Sequence, residues 1–547
     1  MDNNLAPHIE INDLIPAHTS KRYTFASYGL LAILILFTLL TFRQYGISND
    51  EEVQHEYGRL LLEFYESGFQ NQSAFHYKNL YLYGGFFDVI AALIEKANVM
   101  WLWDMRHLLS ASFGLFGLLA VYKIACTLGT SRTGFIALAL LSLTAAWTGA
   151  MFTHTKDIPF ATCMTWALYY TIQVCRLGPT IPLQLSIKLG IAVGCALGMR
   201  IGGGFAVVYL VVALVLSSFV IANQWSDRSA YLLRVSVHLL PAALVAFIIM
   251  AVFWPWGVMS PSHPSEAIKA FSHFSFNMLT IDDGMVTSIG NVTRTYLLHY
   301  LLVKLPEVFL LGLVSITWFV LARLSNMRAY WYSKHALILN PLLLAILFPL
   351  AFVLITEPAL YNGVRHFTFI LPPLAVLAAL GIDYTLSALQ SANIKRIVYS
   401  VLCIGLSIST LVQCIQLHPY EYVFYNHLAG ETREAEEQWE SDYWSSSLRE
   451  ASSILMALPL RAEDAPFSVA VCAESFQGSA YLDDRFMVVK DWQSADFYMS
   501  STNMNCDQVL QGEVIGEVIR RDTVLAVVKD RRQLTGRARD ATPAPHE

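Results

Sequence analysis

The sequence has few charged residues. Aspartate, glutamate, lysine and arginine make up 14% of its 547 residues, and hydrophobic residues make up 55%. An ordinary soluble domain carries about 25% charged residues, so this composition excludes a soluble globular protein. It predicts an integral membrane protein, because a helix of about 20 apolar residues satisfies its own backbone hydrogen bonds while it crosses the lipid.

Other features are also missing. The eight cysteines form no C-x-x-C pair and no Cys/His cluster with metal-ligand spacing, so nothing indicates zinc. The sequence contains no block of basic residues, so nothing indicates a nucleic-acid partner. The first 24 residues lack a cleavable-signal pattern, so the first apolar helix is expected to remain as an anchor. Cys472 and Cys506 lie in a polar segment, where a disulfide and two free thiols are equal alternatives.

Long apolar runs dominate the first three quarters of the chain and predict an α-helical polytopic membrane protein with about eleven spanning helices. The expected spans lie near 25–43, 107–124, 134–152, 158–175, 186–200, 202–222, 235–254, 306–323, 336–356, 364–388 and 397–416.

Lysine and arginine fall in alternate connections, which are expected on the cytoplasmic side. The cations that define these inner connections are Lys21, Arg22, Lys123, Arg132, Arg176, Lys188, Arg228, Arg234, Arg323, Arg328, Lys334, Lys395 and Arg396. The segments then expected outside are 44–106, 153–157, 255–305, 357–363 and everything after 417. A bacterial inner membrane with the site on the periplasmic side is the expected location.

The same assignment divides the chain into a cytoplasmic segment 1–24, a transmembrane module 25–417, a soluble α/β domain 418–535 and a disordered tail 536–547. Three β-like runs support the soluble domain, at 467–472, 485–490 and 523–529. The stretch 80–94 is taken as an interfacial or dipping helix, because a crossing there would reverse every later connection. The segment 53–69 is amphipathic and is expected to lie flat in the outer interface.

Three consecutive acids, Asp50, Glu51 and Glu52, stand where the first spanning helix emerges. Ser48 and Glu51 fit a capping box, so the acids can simply start the amphipathic helix. A carboxylate at that place also suits a general base that acts on a hydroxyl group. The two interpretations do not exclude each other.

The short outer connection HTKDIPF, 154–160, places Lys156 and Asp157 over the helix bundle. Capping explains Asp157 in part, because Pro159 follows at the start of a helix. Arg365 and His366 stand at another outer helix end, where an Arg-His pair can clamp phosphate.

Arg200 and Lys304 also fall at the outer face on this topology. Each of these basic residues taken alone is more often a membrane anchor. Together, carboxylates and cations on one face suit a transfer in which a base deprotonates an acceptor while cations stabilise a departing phosphate.

Several motifs resemble those of the GT-C membrane glycosyltransferases, within the branch of the protein O-mannosyltransferases and the aminoarabinose transferase of lipid A. The motifs are DEE (50–52), KDIPF (156–160), RTYLLHYLLVKLPE (294–307), YNGVRHFTFILPPLAVLA (361–378), HPYEYVFYN (418–426) and ESDYW (440–444). The resemblance implies a polyprenyl-phosphate sugar donor. It also implies a catalytic base at Asp50, with Glu51 as the close alternative, and a second, assisting acid at Asp157.

The expected function is therefore transfer of a sugar from a polyprenyl-phosphate donor to a lipid, glycan or protein acceptor outside the membrane. Asp50, Glu51 and Asp157 are the catalytic candidates; the phosphate-binding candidates are Lys156, Arg200, Lys304, Arg365 and His366. No cofactor is expected to be required, and a divalent metal is a minority alternative. The rival hypotheses are a transporter or lipid flippase, and a receptor or scaffold carried by the segment after 417. ESDYW itself is interpreted as an interfacial aromatic cluster, with Asp442 as a minor candidate.

Overall fold

A computed structural model describes residues 20–272, 278–322, 333–436, 438–460 and 465–536. The expected cytoplasmic segment falls outside these ranges up to residue 19, and the expected disordered tail falls outside them from residue 537. Arg323 and Arg328 of the expected inner connections also lie outside the described residues.

The chain up to residue 417 is largely helical. Its first helices are α1 (Lys21–Thr41), α2 (Glu51–Glu66), α3 (Phe86–Glu95), α4 (Leu102–Leu128), α5 (Ser131–Leu143), α6 (Ala145–Thr148), α7 (Ala150–Thr153), α8 (Asp157–Leu177), α9 (Leu183–Leu197), α10 (Gly204–Ile221), α11 (Trp225–Phe253), α12 (Pro255–Met259) and α13 (His263–Ser272). A hairpin of β1 (Leu279–Asp282) and β2 (Met285–Ser288) follows, and then α14 (Tyr296–Lys304), α15 (Glu307–Leu321), α16 (Lys334–Thr356), α17 (Leu371–Ala388) and α18 (Asn393–Leu417).

Each predicted span falls on a helix, but fewer than eleven of the described helices are long and apolar enough to cross a membrane. Seven qualify, or nine if the bent pairs α5 to α7 and α14–α15 each count as one span. The two predicted spans outside this set are α9, which has only 15 residues, and α8, in which threonine, tyrosine and glutamine side chains lower the hydropathy. The expectation of about eleven crossings stays a prediction.

The expectation that 80–94 does not cross the membrane agrees with the structure. A short turn at Leu80–Leu82 precedes α3, whose 10 residues are too few to span about 30 Å of hydrocarbon. α2 packs on α3 at Gly58, where an added Cβ would collide with the carbonyl oxygen of Asp88. This close approach fixes the start of α2 relative to the helix bundle.

After α18 the chain forms a mixed α/β domain. Its elements are α19 (Glu431–Ala435), α20 (Leu448–Met456), β3 (Phe467–Cys472), α21 (Ser475–Ser479), β4 (Phe486–Val488), β5 (Phe497–Ser501), β6 (Glu513–Arg520) and β7 (Thr523–Asp530). The strand order is β4-β3-β5-β7-β6, with β3 parallel to β4 and β5, and the other two pairs antiparallel. The three predicted runs match β3, β4 and β7, whereas β5 and β6 were not predicted. Cys472 and Cys506 form a disulfide, with Cα atoms 6.3 Å apart.

The head of this domain, residues 418–447, lies against the membrane module. Glu440 accepts hydrogen bonds from the Thr280 hydroxyl (2.7 Å) and the Ile281 amide (3.2 Å) of the β1–β2 hairpin. Asn426 donates to the carbonyl oxygens of Leu302 and Leu305 at the end of α14. These contacts hold the two parts of the chain together at the β1–β2 hairpin and at the end of α14.

Candidate functional site

Four charged side chains from distant parts of the sequence meet at one place. Asp50 is the N-cap residue of α2, Asp157 opens α8, and Arg200 follows α9. Arg365 begins the 3-10 turn Arg365–Ile370 that leads into α17. Nε of Arg365 donates to Asp157 Oδ2 at 3.0 Å, and Nη2 of Arg365 donates to Asp50. Nη2 of Arg200 donates to the other oxygen of Asp157. We call these four residues the charged cluster.

Asp157 is the anchor of the charged cluster. Its side chain is 3% exposed and is shared by two guanidinium groups. Burial alone would raise the pKa of Asp157, but the charges of Arg200 and Arg365 outweigh it and lower the pKa to about 2. Asp157 therefore remains ionised near neutral pH and is a weak proton acceptor.

Lys156 lies beside the charged cluster. It is buried, and its ammonium group is 4.1 Å from the centre of the Tyr83 ring. Within the described part of the chain, no hydrogen bond or ion pair of this ammonium group is found. Burial lowers the pKa of Lys156 to about 8, and the charge of Asp88 partly opposes this shift. The ammonium group is thus mostly protonated at neutral pH and available to an anion.

Glu51 faces away from the charged cluster into the protein. It is fully buried, and its Oε1 accepts from the Ser48 amide (2.9 Å) and contacts Nε2 of His107 (3.2 Å). Its other oxygen lies 3.7 Å from Nε of Arg106. Burial raises the pKa of Glu51, but the charges of His107 and Arg106 bring it below its usual value.

The expected capping box at Ser48 is only half formed. The Glu51 carboxylate accepts a hydrogen bond from the Ser48 amide, as a capping box requires. The Ser48 hydroxyl, however, donates to Glu51 and to the Thr153 carbonyl and does not cap the helix, which begins at Glu51. Among the three acids, the structure therefore separates Asp50, whose side chain is 38% exposed, from the buried Glu51. Glu52 lies on the far side of α2, where it lines a separate cavity of about 320 Å³ with Tyr77 and Trp103.

The other two predicted phosphate ligands are placed differently. His366 packs edge-on against Tyr361, with ring centroids 4.5 Å apart, and contributes to the electrostatic field at Asp157. Lys304 is not part of the charged cluster, because its ammonium group donates to the Tyr422 carbonyl (3.1 Å) and lies 3.5 Å from the Tyr425 ring centre. Through these two contacts, Lys304 binds the head of the α/β domain to the end of α14.

Three residues outside the predicted site set complete the site, and they are His154, Tyr443 and Trp444. The Arg365 guanidinium carbon lies 4.1 Å from the ring centre of Trp444, and the Trp444 indole N–H donates to Nε2 of His154 at 2.9 Å. The Tyr443 hydroxyl contacts the same nitrogen at 2.8 Å.

The interpretation of ESDYW as an interfacial aromatic cluster was wrong, because Trp444 is only 3% exposed and lies at the charged cluster. Asp442, the minor site candidate of that motif, is buried and accepts from the Ser446 and Ser447 amides at 3.1 and 2.9 Å. It therefore shapes the turn that presents Trp444. The motif was visible in the sequence, but its partners His154 and Arg365 are 290 and 79 positions away.

No group of three or more His, Cys, Asp and Glu residues that could hold a metal ion is found among the residues described. The expectation that no metal is required stays a prediction.

Comparison with known proteins gives one family match. Residues 100–256 match the family described as dolichyl-phosphate-mannose-protein mannosyltransferase. Over these residues the resemblance to membrane glycosyltransferases is confirmed. No curated protein is a significant sequence match.

The chain is also similar to several solved structures of low identity. ArnT from Cupriavidus metallidurans bound to undecaprenyl phosphate is 13% identical, with 93% of this chain and 98% of that chain covered and a TM-score of 0.48. Archaeal oligosaccharyltransferase AglB from Archaeoglobus fulgidus, in complex with an inhibitory peptide and a dolichol-phosphate, is 12% identical. That match covers 88% of this chain and 70% of AglB at a TM-score of 0.47.

Proposed function

We propose that the chain is a membrane glycosyltransferase that moves a sugar from a polyprenyl-phosphate donor to an acceptor hydroxyl group. The observation that carries the proposal is the charged cluster, in which Arg365 joins a half-exposed carboxylate to a buried one. The mannosyltransferase family match over residues 100–256 supports the same reaction class.

The cations are proposed to bind the donor phosphate and to stabilise it as it leaves. Nε and Nη2 of Arg365 are engaged by Asp157 and Asp50, whereas no protein partner for Nη1 is found in the described part of the chain. Likewise, no hydrogen bond or ion pair of the Lys156 ammonium group is found among the described residues. Two donors with unused hydrogen-bonding capacity in a buried site suit a phosphate group that gains charge as the bond to the sugar breaks.

Asp50 is proposed as the general base. Its side chain is the accessible carboxylate of the charged cluster, so an acceptor hydroxyl can approach it, and a positioned base of this kind contributes about 10²–10⁴-fold to rate. Asp157 has the separate role of holding Arg200 and Arg365, because two guanidinium charges keep it ionised. Glu51 is assigned a structural role through Arg106 and His107.

The site and the α/β domain are proposed to lie on the non-cytosolic side of the membrane. The positive-inside pattern of the sequence supports this side. The Cys472–Cys506 disulfide supports this side, because disulfides persist in oxidising compartments. A bacterial inner membrane with a periplasmic site remains the proposed location.

Turnover by purified variants tests the assignment of the base. The assay uses labelled undecaprenyl-phosphate monosaccharides with a membrane extract as acceptor source, and follows undecaprenyl phosphate release. We expect Asp50→Asn to lower the rate at least about 100-fold while the melting temperature and undecaprenyl phosphate binding stay close to those of the parent. Glu51→Gln is expected to lower the melting temperature instead, because breaking a buried ion pair costs about 3–5 kcal/mol. Full activity of folded Asp50→Asn would refute the assignment.

A further inference from the structure

The guanidinium group of Arg365 is held by two carboxylates and lies near two aromatic rings. Two of its nitrogens donate to Asp157 and Asp50. Its central carbon lies 4.1 Å from the ring centre of Trp444 and 5.6 Å from that of Tyr361. A planar guanidinium favours bidentate pairing with a single carboxylate and also stacks on aromatic faces. In this protein the guanidinium divides two of its nitrogens between two carboxylates, and no hydrogen bond of Nη1 to either carboxylate is found.

His154 fixes the indole of Trp444. An indole N–H can only donate, so Nε2 of His154 accepts the 2.9 Å hydrogen bond, and the Tyr443 hydroxyl contacts the same nitrogen at 2.8 Å. The proton of the neutral ring is then assigned to Nδ1, which lies 3.2 Å from the Thr153 hydroxyl. Burial lowers the pKa of His154 to about 3, in agreement with a neutral ring. The chain of contacts runs from Thr153 through His154 and Trp444 to Arg365.

We propose that Trp444, supplied by the head of the α/β domain and fixed by His154, is a positioning residue that keeps Nη1 of Arg365 directed at the donor phosphate. Without the indole, the guanidinium can rotate until Nη1 takes part in a bidentate pair with Asp157 or Asp50, and Nη1 is then no longer directed at the phosphate. The inference rests on the proposed function, since it assumes a phosphate ligand.

The chain offers a matched control. Trp439 is also buried, at 5% exposure, and lies five positions earlier in the same segment. Its ring packs edge-on against Tyr300, with centroids 4.9 Å apart. Truncation of Trp439 removes a comparable aromatic contact between the two parts of the chain without touching the charged cluster.

The test measures binding of undecaprenyl phosphate and of undecaprenol, its phosphate-free counterpart, to the full-length protein in detergent. We expect Trp444→Leu to weaken undecaprenyl phosphate binding about tenfold and to leave undecaprenol binding unchanged, because an aromatic–guanidinium contact of a desolvated pair is lost. Trp444→Phe keeps an aromatic face but loses the hydrogen bond to His154, so about a threefold loss is expected. Trp439→Leu should bind both lipids as the parent does.

Each outcome has a separate meaning. The positioning role is overturned if Trp444→Leu keeps the parent's preference for undecaprenyl phosphate over undecaprenol, or if Trp439→Leu loses as much undecaprenyl phosphate affinity as Trp444→Leu. Either result leaves the proposed function intact. If Trp444→Leu does not fold, Trp444→Phe decides, and an unchanged ratio of the two affinities counts against the inference. A parent protein that binds undecaprenyl phosphate no more tightly than undecaprenol would remove the donor assignment and the inference with it.

Discussion

At the scale of single residues, neighbours in sequence have different surroundings because a helix start turns them in different directions. Glu51 lies on the core face of α2 with His55, Gly58 and Leu62, whereas Asp50 lies at the N-cap and reaches Arg365. Three adjacent acids in the sequence therefore give one accessible carboxylate at the charged cluster. Helical phase alone could have placed Glu51 with the core face, but the partner of Asp50 lies 315 positions away.

Lys156 gives a prediction of pH dependence. Its pKa is lowered to about 8 by burial, so the ammonium charge is present below that pH and is lost as the pH rises through it. A phosphate monoester is already doubly ionised above about pH 7. Undecaprenyl phosphate binding should therefore weaken about tenfold between about pH 7.5 and 9.5, as one charge-assisted hydrogen bond disappears.

Equilibrium binding measurements over this pH range check the prediction for Lys156. The control is Lys156→Arg, which keeps its charge throughout and should bind with little pH dependence. The same decline in parent and Lys156→Arg would show that another group titrates.

At the scale of elements, the close contact of α2 with α3 sets the position of Asp50. A Cβ at residue 58 would meet the backbone of Asp88, which cannot move without shifting α3. We expect Gly58→Ala to destabilise the protein by about 1–3 kcal/mol and to reduce turnover, because α2 must move outward. Thermal unfolding in detergent and the sugar-transfer assay measure the two effects.

Gly29 is the matched control for that substitution. It lies inside α1, and an added Cβ would meet no atom within 4 Å. Gly29→Ala should be neutral or stabilise α1 by up to about 1 kcal/mol. Equal stability of Gly58→Ala and the parent would show that the α2–α3 contact is adjustable.

The same elements show how far sequence patterns lead. Each apolar run that predicted a span coincides with a helix, and three short β-like runs located β3, β4 and β7. Strand β5 is uniformly buried, and β6 carries a register irregularity between Val514 and Gly516, so neither shows clean alternation. The bends within α5–α7 and α14–α15, of 69° and 116°, depend on packing that hydropathy does not report.

At the scale of the whole molecule, the two parts of the chain form one site. The membrane module supplies the charged cluster, and the α/β domain supplies Trp444. Because the site is built from both parts, sequence motifs predicted part of the charged cluster but did not predict that Trp444 packs against it. Carboxylates and cations are recognisable as single residues, whereas a tryptophan gains a role only from the partner against which it packs.

The number of crossings links the chain ends to the two sides of the membrane. The positive-inside pattern of the sequence assigns the start of α1 to the inner side and the α/β domain to the outer side, so the two are expected on opposite sides. We predict that Leu534→Cys, at a site 64% exposed in the α/β domain, reacts with a membrane-impermeant maleimide added outside intact cells. Ser20→Cys, at the exposed start of α1, should react only after permeabilisation.

The parent chain serves as the labelling control for its own cysteines, since Cys472 and Cys506 are paired and the other six are buried or half-buried. Labelling of both added cysteines from the same side would mean an even number of crossings. Labelling of Ser20→Cys alone from outside would place the α/β domain, and with it Trp444 and Asp50, in the cytosol. With the α/β domain in the cytosol, a disulfide between Cys472 and Cys506 would need another explanation than an oxidising compartment.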